Sequence, residues 1–225
     1  MTEELEVLKV VTERLNRTDI PYMVSGSMAA NYYTVPRMTR DIDIVIELKE
    51  TDVGKFVDLF ESDFYIDKEM IKKQVRRQGM FNLIHNQYVI KIDFIIKKSS
   101  AYQETALSRK KKVLIKSSPM WFISPEDLVI YKLSWAKDSH SGMNDTHPEV
   151  AAQFRDLMKA RSNEQRLLMG CSMFDTAKQI IQSAIYSQHP GITPEEMRKE
   201  IFLRFYGLEF SQAAKEKIFL MFASR

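Results

Sequence analysis

Cysteine is almost absent from this sequence, because Cys171 is the single cysteine among 225 residues. An intrachain disulfide and a zinc site built on cysteines are therefore excluded, and a reducing compartment is expected. We interpret Cys171 as a small residue of the hydrophobic core, since unpaired cysteine is among the most buried residue types.

Long apolar runs are also missing, since the sequence nowhere has eighteen consecutive apolar residues. A membrane-spanning helix needs about 20 such residues, so we predict no membrane span and no membrane partner. The first residues, Met-Thr-Glu-Glu-Leu-Glu, are acidic and lack the positive cluster and apolar run of a secretory signal. We therefore expect a cytoplasmic protein.

An excess of charge of one sign is the third feature that the sequence lacks. Lys and Arg number 33 against 30 Asp and Glu, which gives a net charge of +3 and a pI near 8.8. This weakly basic balance permits a polyanionic partner such as RNA but does not require one. The 44% hydrophobic content is typical of a folded chain that buries one core, or one core with a smaller helical appendage.

The first half of the chain alternates between helix and strand patterns. Residues 4–16 carry apolar side chains at three- and four-residue spacing, which predicts an amphipathic helix. Residues 20–24 predict a short buried strand, followed by the turn Ser25-Gly26-Ser27 and a helix at 28–33. Later patterns predict a helix over 51–60, strands over 81–85, 88–96 and 113–115, and a helix over 125–136.

Acidic side chains interrupt two of these strands. Residues 41–48 read Asp-Ile-Asp-Ile-Val-Ile-Glu-Leu, so Asp41 and Asp43 project from one strand face and the isoleucines from the other. The strand over 88–96 places Lys91 and Asp93 together on one face. Three carboxylates on two strands are therefore available for a shared site.

The second half of the chain is predicted to be helical. The polar stretch 138–147 is the best candidate for a linker between residues 1–137 and residues 148–225. Beyond it, helices are predicted over 148–160, 164–187, 194–205 and 211–222, with Thr193 and Glu196 forming a capping box. The predicted fold class is α/β (α+β), a mixed sheet with flanking helices followed by an all-helical region.

The acids and the glycine turn favour phosphate chemistry. Two divalent ions about 3.5 to 4 Å apart can neutralise phosphates and activate an attacking hydroxyl, and Mg²⁺ prefers carboxylate oxygens as ligands. Asp41, Asp43 and Asp93 offer such ligands on two strands. Gly26 and Ser27 would allow the backbone and a hydroxyl to approach a triphosphate closely at a helix start.

Together these motifs resemble the nucleotidyltransferase superfamily typified by DNA polymerase β, whose Gly-Ser turn precedes an Asp-x-Asp strand. Here the pattern is Val24-Ser25-Gly26-Ser27 followed by Arg40-Asp41-Ile42-Asp43-Ile44. The Lys-Ile-Asp-Phe-Ile strand and Ser-Pro-Glu-Asp-Leu-Val-Ile-Tyr-Lys-Leu are most similar to the abortive-infection (AbiE-type) toxin group. The resemblance covers about residues 5–137.

The resemblance implies a nucleotidyltransferase-type fold and specific roles. It assigns two Mg²⁺ ions to Asp41, Asp43 and Asp93, with Asp93 also available as the base. It assigns nucleoside triphosphate contacts to a second group of residues: Gly26, Ser27 and Lys132. Arg40 directly precedes Asp41, and Arg37 lies three residues before Arg40. Both arginines are further candidates for a phosphate contact.

Each of these residues also has an ordinary structural interpretation. Asp93 could form an ion pair with Lys91 or Lys97, Arg37 and Arg40 could be solvated, and Lys132 could be a surface lysine on its helix. The basic runs Arg76-Arg77 and 109–112 are interpreted as solvated faces or as RNA phosphate contacts. The four histidines have no metal-ligand spacing and are interpreted as surface residues.

Our leading hypothesis is a Mg²⁺-dependent enzyme that moves a nucleoside monophosphate from an NTP to a hydroxyl of an RNA, protein or small-molecule acceptor. The alternative is a non-catalytic binding or regulatory module that acts through its helical tail. A third hypothesis, from the resemblance, is that the chain is the toxin of a toxin–antitoxin pair with an antitoxin partner.

Overall fold

The computed structural model describes residues 2–136 and 148–223 of the chain. These residues contain a seven-stranded mixed sheet flanked by helices and followed by a C-terminal helical region, which confirms the predicted fold class. The predicted linker over 138–147 lies outside the described residues, and the boundary that it implies stays a prediction.

The strands and helices appear in the following order along the chain. The strands are β1 (Tyr22–Val24), β2 (Asp41–Ile46), β3 (Phe64–Tyr65), β4 (Met80–His85), β5 (Lys91–Ile96), β6 (Lys111–Ile115) and β7 (Ser118–Phe122). The helices before the gap are α1 (Glu3–Leu15), α2 (Gly26–Tyr33), α3 (Val53–Phe60), α4 (Lys68–Arg77), α5 (Ala101–Ser108) and α6 (Pro125–Ala136). After it come α7 (Pro148–Lys159), α8 (Asn163–Gln188), α9 (Pro194–Tyr206) and α10 (Gln212–Ala223).

The sheet has the order β3-β4-β5-β2-β1-β7-β6. The β2–β5 and β1–β7 pairs are parallel, whereas β1–β2, β4–β5, β3–β4 and β6–β7 are antiparallel. Strands β2 and β5 therefore lie in the interior of the sheet, with a neighbouring strand on each side. The three isoleucines of β2, and Ile92 and Phe94 of β5, are fully buried in a core that also holds Phe56 and Phe60 of α3.

The C-terminal helices are packed onto the sheet unit, with α8 in contact with both α1 and α2. Gly170 allows this close approach, because a Cβ atom there would lie 2.1 Å from Nδ2 of Asn31. Cys171 and Phe174 of the same helix are fully buried, as the interpretation of Cys171 as a core residue required. The helical region thus shares the core of the first half of the chain.

Several local predictions agree with the structure and others need correction. The capping box of Thr193 and Glu196 is present at the start of α9. The predicted helix over 51–60 begins with a single 3-10 turn at Glu50–Asp52. The predicted strand over 113–115 begins two residues earlier in the structure, so that Lys111 and Lys112 of the basic run belong to strand β6. Strands β3 and β7 and helices α4 and α5 were not predicted.

Within residues 2–136 and 148–223, every helix is too short or too polar to cross a bilayer.

Candidate active site

The three predicted acids are brought together by the parallel pairing of β2 with β5. In this register Asp43 lies opposite Asp93 and Asp41 lies opposite Lys91. Because side chains alternate along a strand, all four side chains share one face of the sheet. Asp93 is buried, whereas Asp41 and Asp43 are partly exposed, so solvent reaches this face of the sheet at Asp41 and Asp43.

The Gly26-Ser27 turn lies directly against Asp43. The backbone amide of Ser25 donates a hydrogen bond to the carbonyl of Asp43 at 2.8 Å, and α2 begins at the next residue. Gly26 has φ of +59°, and a Cβ atom there would lie 1.7 Å from Oδ2 of Asp43. Only glycine fits this position, since it tolerates the left-handed conformation and leaves room for the carboxylate.

Arg37 and Lys132 border the same turn. The Arg37 guanidinium donates to the Ser27 hydroxyl at 2.9 Å. The Arg37 backbone is fixed by Asn31, whose side-chain oxygen accepts from the Arg37 amide and whose side-chain nitrogen donates to the Arg37 carbonyl. Lys132 is exposed on α6. The pKa of Lys132 is lowered by partial burial and by the charge of Arg37, and the charge of Asp43 opposes this fall.

Lys91 occupies the middle of the acid group. Its Nζ atom lies 3.0 Å from Oδ2 of Asp93 and 3.6 Å from Oδ2 of Asp41, and its side chain is 5% exposed. The sequence interpretation of Asp93 as an ion-pair partner of Lys91 therefore describes a real contact. The contact is buried and shared with a second acid, unlike an isolated surface pair.

A fourth carboxylate, which sequence reasoning missed, comes from the C-terminal region. Oε2 of Glu209 lies 2.5 Å from Nζ of Lys91, and Oε1 lies 3.3 Å from Nη2 of Arg40. Arg40 also donates to the carbonyl of Phe205 at 2.6 Å, and the Tyr206 hydroxyl donates to the carbonyl of Arg40 at 2.7 Å. Arg40 thus lies next to the acids, and its guanidinium is bonded to Phe205 and Glu209 of the C-terminal region.

Burial and mutual repulsion raise the pKa values of the acids in this group. Burial raises the pKa of Asp41 to about 6, with Asp93 and Glu209 adding to the rise and Lys91 opposing it. Burial, Asp93 and Asp41 together raise the pKa of Asp43 to about 6, against the hydrogen bond from the Ser27 amide. Four carboxylates thus face two cations, Lys91 and Arg40, and an added cation would relieve their repulsion.

The donor set has the chemistry that a divalent ion requires. Oδ1 of Asp41 and Oδ1 of Asp93 are buried without a hydrogen-bond partner, which is costly for a carboxylate and is relieved by a bound cation. In the part of the chain that the structure describes, no three acidic, histidine or cysteine side chains already surround one ion position. The Lys91 ammonium lies between the acids instead.

The remaining sequence candidates lie away from this group. His85 is buried and stacked on Tyr88, so its interpretation as a surface histidine is wrong; burial lowers its pKa to about 4. His189 is exposed, whereas His140 and His147 lie outside the described residues. In the basic runs, Arg76 pairs with Glu50 and Arg109 pairs with the buried Asp127.

Solved structures with similarity to this chain include nucleotidyltransferases, the superfamily that its motifs resemble. A candidate nucleotidyltransferase from Thermotoga maritima is 17% identical, covers 71% of this chain and 94% of its own, and has a TM-score of 0.44. A nucleotidyltransferase-like antigenic protein from Paracoccidioides brasiliensis is 15% identical, with coverages of 82% and 93% and a TM-score of 0.43. A lincosamide antibiotic adenylyltransferase with lincomycin bound is 14% identical, with coverages of 75% and 98% and a TM-score of 0.40.

A family model described as Rv0078B-related antitoxin matches residues 159–217, which include Tyr206 and Glu209. No curated protein matches the chain. Because the three TM-scores are below 0.5, the geometry of the site has to carry the functional proposal.

Proposed function

We propose that the chain is a metal-dependent nucleotidyltransferase, which moves a nucleoside monophosphate from an NTP to a hydroxyl acceptor. The observation that carries this proposal is the register of β2 and β5, which sets Asp43 beside Asp93 with Asp41 on the same face. The glycine turn that opens α2 lies against the same carboxylate. Acids and a phosphate-compatible turn thus meet at one place.

Asp41, Asp43 and Asp93 would hold the divalent ions, preferably Mg²⁺. When bound, such ions supply charge neutralisation on the phosphates and a more acidic acceptor hydroxyl. The two carboxylate oxygens without hydrogen-bond partners, on Asp41 and Asp93, are the natural first ligands. Asp93, to which the resemblance also assigns the role of base, would accept the acceptor's proton, and burial raises its pKa as it does those of Asp41 and Asp43.

The triphosphate would be bound at the start of α2. Backbone amides that follow Gly26 and the hydroxyl of Ser27 are donors at a helix N-terminus, where anions are stabilised. Arg37 donates a hydrogen bond to that hydroxyl, and Lys132 lies on α6. Both side chains would add positive charge to the same region. These four residues orient the donor nucleotide, whereas the acids act on the transferred phosphoryl group.

Space for the acceptor exists on the other side of the acids. A cavity of about 350 Å³ is lined by Asn82, Glu209 and Phe210 together with residues of α4. Asn82 is the register partner of Asp93 on β4, so the cavity adjoins the acid group. This cavity would receive the hydroxyl-bearing part of an RNA, protein or small-molecule acceptor.

The test of this proposal is nucleotide-dependent labelling with the Asp43→Asn variant. Transfer from α-labelled NTPs to RNA, protein and small-molecule acceptors should require a divalent ion, and the variant should lose at least about 100-fold in rate. Asp58→Asn removes an exposed carboxylate of α3 and serves as the matched control with full activity. Full transfer by the Asp43 variant would contradict the assignment.

A non-catalytic binding module is distinguished from the enzyme by calorimetry. The enzyme should bind each accepted NTP only with Mg²⁺ present, and Asp43→Asn should weaken this binding. A module that works through its helical tail needs no metal-dependent triphosphate binding. Absence of such binding for all four NTPs would therefore favour the module over the enzyme.

A toxin–antitoxin setting is the second candidate, and the match of residues 159–217 to the antitoxin model favours it. In this reading the helical region restrains the catalytic half of the same chain. Induced expression of the full chain and of its Glu209→Gln variant would test this, each beside a version that also carries Asp43→Asn. Growth arrest that depends on Asp43 supports a toxin activity, and unchanged growth in all four strains contradicts it.

A further inference from the structure

The side chain of Glu209 is held like a bound oxyanion. Its two carboxylate oxygens contact two different cations, with Oε2 at Lys91 and Oε1 at Arg40. These cations belong to two places in the sheet unit, the first residue of β5 and the residue before β2. A planar carboxylate clamped between two cations is the arrangement that also suits a phosphate group.

The carboxylate of Glu209 is held by those two cations against the repulsion of the neighbouring acids. Its charge raises the pKa of Asp41 and of Asp93, so the acids repel it. Its side chain is 34% exposed, which leaves it open to competition from solvent species. Glu209 lies in a short turn just after α9 ends, in which its amide donates to the carbonyl of Tyr206.

We propose that Arg40 and Lys91 form a phosphate-binding subsite, and that Glu209 is the chain's own competitor for it. The ligand class is the polyphosphate of a nucleotide, which carries more negative charge than one carboxylate and can use both cations at once. A bound polyphosphate would displace Glu209 from both cations and the Phe205 carbonyl from the Arg40 guanidinium. The subsite deepens the proposed function and rests on it for the identity of the nucleotide.

Two features connect this subsite to the C-terminal region as a whole. Tyr206 is fully buried, its hydroxyl donates to the carbonyl of Arg40, and its ring lies 5.7 Å from Nζ of Lys91. Leu208, the residue before Glu209, is fully exposed and makes no packing contribution of its own. Tyr206 and Phe210 therefore anchor the two ends of this turn by packing, whereas Glu209 between them is held by ion pairs, which a competing anion can replace.

Calorimetry with inorganic pyrophosphate, in low salt with EDTA, tests the subsite directly on the full chain. Glu209→Gln keeps the size of the side chain and removes its charge, so pyrophosphate should bind at least about 5-fold more tightly than to the wild type. Glu216→Gln, an exposed glutamate of α10, is the matched control and should bind as the wild type does. Arg40→Gln should abolish the gain when combined with Glu209→Gln.

Hydrogen exchange supplies a readout that a purely structural role for Glu209 would not move. Pyrophosphate should increase exchange of amides in residues 205–211 of the wild type and leave those of α10 unchanged. ATP should act like pyrophosphate, and adenosine should have no effect. Equal pyrophosphate affinities in Glu209→Gln and Glu216→Gln, or stronger effects of adenosine than of pyrophosphate, would overturn the subsite.

The subsite and the enzyme proposal fail in different experiments. Pyrophosphate binding in EDTA involves no metal, so the competition by Glu209 stands or falls without any transfer activity. Conversely, loss of labelling in Asp43→Asn with no effect of Glu209→Gln on pyrophosphate binding would keep the enzyme and remove the subsite.

Discussion

Replacement of Gly26 by alanine is the most direct perturbation of the link between the turn and the acids. Alanine adds a Cβ atom that would lie 1.7 Å from Oδ2 and 2.4 Å from Cγ of Asp43. The Cβ atom of Asp43 would itself lie 2.7 Å away, so rotation of the carboxylate alone does not relieve the clash and the side chain must leave its position. The substitution therefore acts on the proposed metal ligand without altering any charge.

The expected magnitude follows from two costs of that substitution. A residue with a Cβ at φ of +59° loses about 1 to 2 kcal/mol relative to glycine. Moving the Asp43 side chain off its rotamer costs about 0.5 to 1.5 kcal/mol more. The reduced entropy of the unfolded chain offsets about 0.4 to 1 kcal/mol. We expect a net loss of about 0.5 to 3 kcal/mol in the free energy of unfolding.

Urea denaturation followed by circular dichroism measures this loss, and metal-dependent NTP labelling measures the displaced carboxylate. Gly54→Ala is the matched control, because a Cβ atom at that position in α3 meets no atom within 4 Å. It should stabilise the protein by about 0.5 to 1 kcal/mol, since alanine favours a helix over glycine. Unchanged stability and labelling in Gly26→Ala would refute the close approach of the turn to Asp43.

Three further substitutions test the packing around the site. Burial raises the pKa of Glu4 to about 9, so the folded state retains a proton that the unfolded state releases above pH 4.5. Wild-type stability should thus fall by up to about 1.4 kcal/mol per pH unit between pH 6 and 8, and Glu4→Gln should flatten this slope in urea titrations; parallel slopes would contradict it. Gly170→Ala would place a Cβ 2.1 Å from Nδ2 of Asn31. Calorimetric melting should show that the free energy of unfolding falls by about 1 to 3 kcal/mol. An unchanged melting temperature would argue against tight packing of α2 on α8. Asp127→Asn removes the buried charge that pairs with Arg109 and should cost about 1 to 3 kcal/mol in the same assay, more than Asp58→Asn does.

Much of the site was predictable because its signals are local. Alternation along residues 41–48 determines that Asp41 and Asp43 share a face, whatever the sheet order is. The capping box at Thr193 and the turn at Gly26 depend on residues within a few positions of each other. The amino-acid sequence alone therefore determined the acid pair and the turn beside it, together with most of the helices and strands.

The tertiary structure alone decided which distant groups meet. The β2–β5 register brings Asp93 opposite Asp43, and packing of the C-terminal helices brings Glu209 to Lys91 across a separation of 118 residues. Neither contact leaves a local pattern, because strand pairing and helix docking depend on the burial of many apolar side chains at once. Glu209 in sequence is one acid among 30 acidic residues, and only its place between Arg40 and Lys91 distinguishes it.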